Sequence, residues 1–456
     1  MADRVLVIGA DAAGMSAASQ AKRTAKAAGR DLDVVAVDRG HWTSYSACGI
    51  PYWIAGDVAS PGALVARTPE EHRANGIDVR LLAEAVELDT DAGWVEVVDH
   101  AAGRRERLGY DQLVLATGAT PVRPDVPGAG ATGVFGVQTL DDGGAVLGHL
   151  GGDVRRAVVV GAGYIGLEMA EALVRRGLAV TVVERGREPM NTLDPDLGTQ
   201  VHAAMEGMGI DVVTSAAVTA FETGPGGAAT AVVTDAGTYP ADIVVLGTGV
   251  RPATGLARAA GLPLGPSGGL RTDDTQRVAD GVWSAGDCVE TWDRVRRDWV
   301  HVPLGTHANK QGRVLGTNLG GGSARFPGIV GTALTKVCDL ELARTGLTEG
   351  DAVEAGIDHV AVTIESTTRS GYYPGAEPIT VKMVAARPTG RLLGAQIVGR
   401  DDSAKRIDVC AMALWTELTV GELAMTDLAY APPFSSVWDP VQIAARKAAD
   451  RLASAP

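Results

Sequence analysis

The chain has 456 residues, 46% of them hydrophobic but only 4% aromatic, with 59 glycines, which suits two to four domains with Ala/Val/Leu cores and many tight turns. A formal net charge of −14 with no Lys/Arg-rich run excludes nucleic acid as a partner, because the chain would repel a phosphate backbone. No apolar run approaches the ~18 residues of a membrane span, and four cysteines at 48, 288, 338 and 410 form neither a disulfide framework nor metal-ligand spacing.

The start, Met1-Ala2-Asp3-Arg4, leads straight into a strand without a signal-peptide pattern, so a cytoplasmic protein with free thiols is expected. Residues 4–8 read as that strand. Gly9-Ala10-Asp11-Ala12-Ala13-Gly14 and an Ala-rich helix to about Ala28 follow, and the next strand, Val34 to Val37, ends in Asp38. In such a βαβ unit the backbone N–H groups at the helix start favour a pyrophosphate, and the acid is placed to bond a ribose hydroxyl. Asp11 stands where the fingerprint has its middle glycine and brings a negative charge toward the phosphate.

Just beyond lies Ser44-Tyr45-Ser46-Ala47-Cys48-Gly49-Ile50-Pro51-Tyr52-Trp53, whose nearest other cysteine is Cys288. Cys48 is therefore expected to pair with an external partner, as a mixed disulfide, a persulfide or a sulfenic acid. A helix at 69–75 and strands at 79–82, 84–88 and 94–98 follow. A strand into the Thr117-Gly118 turn then leads to a Pro-rich crossover through Pro127.

A second βαβ unit begins at Ala157. Gly161, Gly163 and Gly166 all stand in place, a helix runs to about Arg176, and the strand Val180 to Val183 ends in Glu184. Two such units imply two dinucleotides or a duplicated fold, and one cofactor can then reduce the other. After the strand Ile243 to Leu246, Gly247-Thr248-Gly249 echoes the earlier Thr-Gly turn, so the chain is expected to re-enter its first domain. A short strand ends at Gly286-Asp287, and a helix follows over 304–319. From about Gly328, strands at 360–364, 379–385 and 392–398 precede helices at 404–417 and 420–426, which suggests an α+β domain.

Together these segments resemble the pyridine nucleotide-disulfide oxidoreductases over essentially the whole chain. The resemblance implies an α/β fold with two Rossmann-like dinucleotide-binding domains and a C-terminal α+β dimerisation domain. FAD would be held by 1–116 and 246–327, NAD(P) by 117–245, and 328–456 would form a homodimer. The lone cysteine in Tyr45-Ser46-Ala47-Cys48-Gly49-Ile50-Pro51-Tyr52 resembles the one-cysteine branch: coenzyme A-disulfide reductases, persulfide reductases, NADH oxidases and NADH peroxidases. The Cys-Gly-x-Pro-Tyr form, Gln20 with Arg23, Tyr372-Tyr373-Pro374-Gly375, and Tyr430 before Ala-Pro-Pro are similar to the coenzyme A-disulfide reductase pattern. Ala47 departs from it, since those enzymes carry Asn there. The peroxidases carry a histidine in the first Gly-rich turn, where this chain has Asp11-Ala12-Ala13.

The activity implied is hydride transfer from NAD(P)H through FAD to a disulfide or persulfide on Cys48, with coenzyme A as a further ligand. The alternative is an NADH oxidase or peroxidase using a Cys48 sulfenic acid. Implied cofactor contacts are Gly9, Ala13, Gly14, Asp38, Arg39, Ser46, Val86, Thr117, Gly118, Gly161, Gly163, Tyr164, Ile165, Gly166, Glu168, Glu184, Arg185, Gly249, Asp287, Leu304, Gly305 and Thr306. Gln20, Lys22, Arg23 and Ser44 would bind the substrate. Tyr372, Tyr373 and Tyr430 of a second subunit would donate protons to the departing thiolate. Tyr164 would gate the nicotinamide and Glu168 orient it. Glu184 favours NADH over NADPH, against Arg185 and Arg187. A helix starting at 49–52 would lower the Cys48 pKa.

Overall fold

The computed structural model describes residues 3–454; Met1, Ala2, Ala455 and Pro456 lie outside them. Strand β1 (Asp3–Ile8), helix α1 (Ala12–Ala27) and strand β2 (Leu32–Val37) open the chain. β1 is fully buried from Val5 to Val7 because it is central, flanked by β2 and by Gln112–Leu115, both parallel to it. The six-stranded sheet runs Arg277–Ala279, Val282–Ser284, Gln112–Leu115, β1, β2, Ile77–Arg80. The central strands are apolar on both faces because one face packs on α1 and the helix Gly305–Leu319 and the other on the strands Ala83–Asp89, Trp94–Asp99 and Arg104–Gly109.

A second, five-stranded parallel sheet runs Asp211–Val213, Ala179–Val183, Arg156–Val160, Ile243–Leu246, Val134–Gly136. It repeats the first in outline, with a βαβ start, a later parallel strand beside the opening strand, and a three-stranded antiparallel meander attached. The meanders are Ala83–Asp89, Trp94–Asp99, Arg104–Gly109 and Val218–Thr223, Ala229–Thr234, Thr238–Pro240. The third unit is a five-stranded antiparallel sheet, ordered Ala333–Val337, Leu340–Gly346, Leu392–Gly399, Pro378–Ala386, His359–Thr367, with Ile407–Trp415 and Pro440–Ala453 packed on it. Among the described residues no helix is long and apolar enough to cross a membrane.

Candidate active site

Each βαβ turn is shaped by close backbone approach. Gly9 has φ +103°, and a Cβ there would lie 2.1 Å from the Ala116 carbonyl oxygen; Gly161, at φ +95°, would meet Gly247 at 2.5 Å. Only glycine fits. The two acids are then bound alike. Asp38 accepts the N–H groups of Ala10 and Gly40, both at 2.8 Å, and Glu184 accepts those of Ala162 and Gly186, both at 2.7 Å.

Both turns open into one continuous cavity of about 3570 Å³. Gly9, Ala13, Asp38, Arg39, Ser46, Thr117, Gly118, Asp287, Leu304, Gly305 and Thr306 line it on the side of the first sheet. Gly161, Gly163, Tyr164, Ile165, Glu168, Glu184, Arg185 and Gly249 line its other reach, and Cys48, Ser44 and Arg23 lie on its wall. The residues fit two dinucleotides: glycine-walled turns leave room for phosphate at the N-termini of α1 and of Tyr164–Arg175, and the half-buried Asp287 carboxylate has no hydrogen bond within the described protein, which suits a polyol.

Other expected contacts lie elsewhere. Gly14 and Gly166 do not line the cavity; a Cβ on them would meet the carbonyl oxygens of Gly9 at 1.9 Å and Gly161 at 2.0 Å, so they let helix pack on strand. Val86 turns to solvent, and Glu84 and Ala85 line the wall instead; a register shift between Ala85 and Glu87 interrupts the strand's alternation at this point. Lys22 is a correction: its ammonium bonds the Leu32 carbonyl at 2.8 Å and pairs with Asp31, away from the cavity. Gln20 also stays off the lining, accepting from Arg23 at 2.8 Å and donating to Thr24. Tyr372, Tyr373 and Tyr430 are exposed on the antiparallel-sheet unit and do not line this chain's cavity.

Cys48 occupies a single 3-10 turn, Ala47–Gly49, ahead of the short helix α2 (Ile50–Ala55). It is exposed toward the cavity, whereas Cys288 and Cys410 are buried, Cys338 is half-buried, and none of these three lines the cavity. The expected lowering of its pKa is corrected. Desolvation by the cavity walls pushes the thiol up, and the Glu168 and Asp287 carboxylates push the same way. Glu168 is itself held protonated more readily than usual by burial, although Thr335 donates to it at 2.6 Å.

Several wall residues escaped the sequence reading. Ser16 and Ser19 precede Arg23 on α1, while Asn309, Lys310 and Arg313 share a face of the helix Gly305–Leu319, and all six line the cavity. Arg23, Lys310 and Arg313 have no ion pair among the described residues. The i, i+3, i+7 spacing of Ser16, Ser19 and Arg23 and the i, i+3 spacing of Lys310 and Arg313 are the available signal, but only the packing of α1 against the later helix joins the rows. Ser44, at φ +49°, bonds the buried His72 ring at 2.8 Å.

The pyridine nucleotide-disulphide oxidoreductase signature matches residues 3–312, and the dimerisation-domain signature of the same family matches 332–441. The chain belongs to this family. Pyridine nucleotide-disulphide oxidoreductases use FAD and NAD(P)H, and the two glycine turns on one cavity are the places where this chain accommodates them. An NAD(P)H coenzyme A polysulfide/persulfide reductase of Pyrococcus horikoshii is 37% identical over 98% of both chains. An NADH oxidase of Methanocaldococcus jannaschii is 35% identical, covering 99% of this chain and all of that one. The structure of an NAD-dependent persulfide reductase from A. fulgidus superposes with a TM-score of 0.94 at 37% identity, covering 98% of this chain and 83% of that one.

Proposed function

We propose that this chain is a cytoplasmic flavoprotein that uses NAD(P)H to reduce coenzyme A disulfides or persulfides through Cys48. One observation carries the reading: Cys48, the only cysteine on the cofactor cavity among the described residues, shares that cavity with Arg23, Lys310 and Arg313, cations of two packed helices that have no ion pair there. A protein of net charge −14 that keeps guanidinium and ammonium groups together without carboxylate partners is built for an anionic ligand, and Arg in particular suits phosphate. Coenzyme A joins phosphates to a thiol, so phosphates on this row leave the thiol end for Cys48.

When bound, FAD supplies the two-electron link between NAD(P)H and the sulfur at Cys48. The Cys48 thiolate attacks one sulfur of the substrate disulfide, forming a Cys48 mixed disulfide and releasing the other half as a thiolate. Two electrons then restore the Cys48 thiolate and release the second thiol. Burial and the Glu168 and Asp287 carboxylates oppose ionisation of Cys48, and a cationic group brought near it by a bound ligand would favour the thiolate. The Tyr164 hydroxyl is buried beside that of Thr192 with no well-formed hydrogen bond, so swinging the ring aside for a nicotinamide breaks at most a weak contact.

In our reading Tyr372, Tyr373 and Tyr430 act on a second copy's cavity in a homodimer. Their domain exposes Tyr372 at 78%, Met425 at 77% and Phe434 at 75%, more apolar side chain than a solvent-facing surface normally leaves bare. The test is NAD(P)H consumption by the purified yellow protein with coenzyme A disulfide, coenzyme A persulfide, peroxide or oxygen. Fast turnover with a coenzyme A species supports the proposal. Turnover with oxygen or peroxide alone replaces it with the oxidase or peroxidase reading.

A further inference from the structure

Asp11 presents a physical problem, because it places a carboxylate in the turn meant for a pyrophosphate, close to the carboxylates of Asp38 and Asp287. Its position is the N-cap of α1, where an Asp side chain ordinarily accepts from the first turn of its own helix. Here no such capping bond forms. The carboxylate instead accepts the backbone N–H of Tyr45 at 3.1 Å, across 34 residues of sequence. The two preceding residues are tied to the same turn: the Thr43 hydroxyl donates to the Ala10 carbonyl at 2.5 Å, and the Ser44 N–H donates to it at 3.3 Å. Ser44 sits at φ +49°, a conformation that persists in a non-glycine residue only where its surroundings hold it. Ser46 then opens the turn that carries Cys48, its carbonyl accepting the Gly49 N–H at 2.9 Å.

We infer that Asp11 is a positioning residue for Cys48, a side-chain latch that fixes the cysteine loop to the dinucleotide turn and, apart from the adjoining Ala12 N–H, leaves the first turn of α1 without a side-chain cap, open to the phosphate. This explains a charge that is unfavourable for phosphate on its own. It also makes the place of the reacting sulfur depend on the turn that holds the cofactor. The inference rests on Cys48 being the reacting residue and not on which acceptor it serves, so its readouts are taken at the loop itself.

The test compares Asp11→Asn, which keeps an oxygen acceptor for the Tyr45 N–H, with Asp11→Ala, which removes it, in the full-length flavin-loaded protein. Loss of a hydrogen bond to a charged group is worth roughly 1.5–3 kcal/mol, so amide exchange at Tyr45 should speed up at least about tenfold in Asp11→Ala and stay within about threefold of wild type in Asp11→Asn. Alkylation of Cys48 by iodoacetamide after NADH reduction, followed on the Cys48 peptide by mass spectrometry, should rise in Asp11→Ala alone as the loop leaves the cavity wall. Unchanged exchange and alkylation in Asp11→Ala overturn the latch. Equal changes in both variants also overturn it, by assigning the effect to charge. Should Asp11→Ala purify without flavin, Tyr45 exchange in Asp11→Asn against wild type decides: retained protection upholds the hydrogen-bond latch, and protection lost despite the amide oxygen overturns it.

Discussion

The Glu184 carboxylate accepts the Ala162 N–H at 2.7 Å and is only 6% exposed. It fixes the second glycine turn while its negative charge stands at the end of the strand where an adenosine ribose would lie. Glu184→Ala should therefore lower the preference for NADH over NADPH at least about tenfold, or 1.4 kcal/mol. Steady-state KM and kcat for the two nucleotides check this. An unchanged ratio would show that Arg185 and Arg187 govern the choice.

Lys382 ties the second parallel-sheet unit to the antiparallel sheet. Its ammonium, 6% exposed, lies 2.8 Å from Glu349, 2.9 Å from Asp196 and 3.3 Å from Asp194. Burial alone would raise Asp194, but the Gln396 amide, the Glu349 and Gly350 N–H groups and Lys382 hold it below the usual carboxylate range. Lys382→Met strands these carboxylates and should cost about 3–5 kcal/mol at neutral pH. The depressed Asp194 contributes stability above its unfolded pKa and loses it as pH falls, so the penalty should shrink below about pH 4. Denaturant unfolding of both proteins at pH 7 and pH 3.5 measures it.

Asp11 has the opposite sign. Burial, with Asp38 and Asp287, raises its carboxyl from 3.8 to about 6, although the Tyr45 N–H pulls it down. The folded, flavin-free protein thus holds this proton more tightly than the unfolded chain, and ionisation costs stability as pH rises from about 4 to about 6, by up to about 3 kcal/mol. Asp11→Asn should raise the melting temperature of flavin-free protein at pH 8 and leave it unchanged near pH 4. Equal melting curves at pH 8 would contradict the raised value.

How much of this was legible depended on sequence distance. The two βαβ units could be read because glycine spacing, apolar runs and a terminal acid all lie within about thirty residues. β2 nevertheless starts at Leu32 rather than Val34, since pairing with Asp3 extends it. The strand Arg104–Gly109 was invisible in a polar run, Arg-Arg-Glu-Arg-Leu-Gly; it forms at a sheet edge where Arg105 pairs with Glu96 on the adjoining strand. The Cys48 surroundings were misjudged for a related reason. A local helix suggests a lowered pKa, but burial by the cavity walls raises it, and Glu168 and Asp287, from distant elements, push the same way. The same holds for the shared cavity wall of Arg23, Lys310 and Arg313, and for the tie between Asp11 and Tyr45.

The most direct test of the central claim is the intact mass of the protein as isolated, before and after a thiol reductant, for wild type and Cys48→Ser. The wild type should carry an adduct of coenzyme A size that the reductant removes, and Cys48→Ser should lack it and lose turnover with coenzyme A disulfide. A Cys48 bearing only oxygen, or a Cys48→Ser protein that keeps full turnover, would contradict the assignment of Cys48 as the sulfur-exchanging residue.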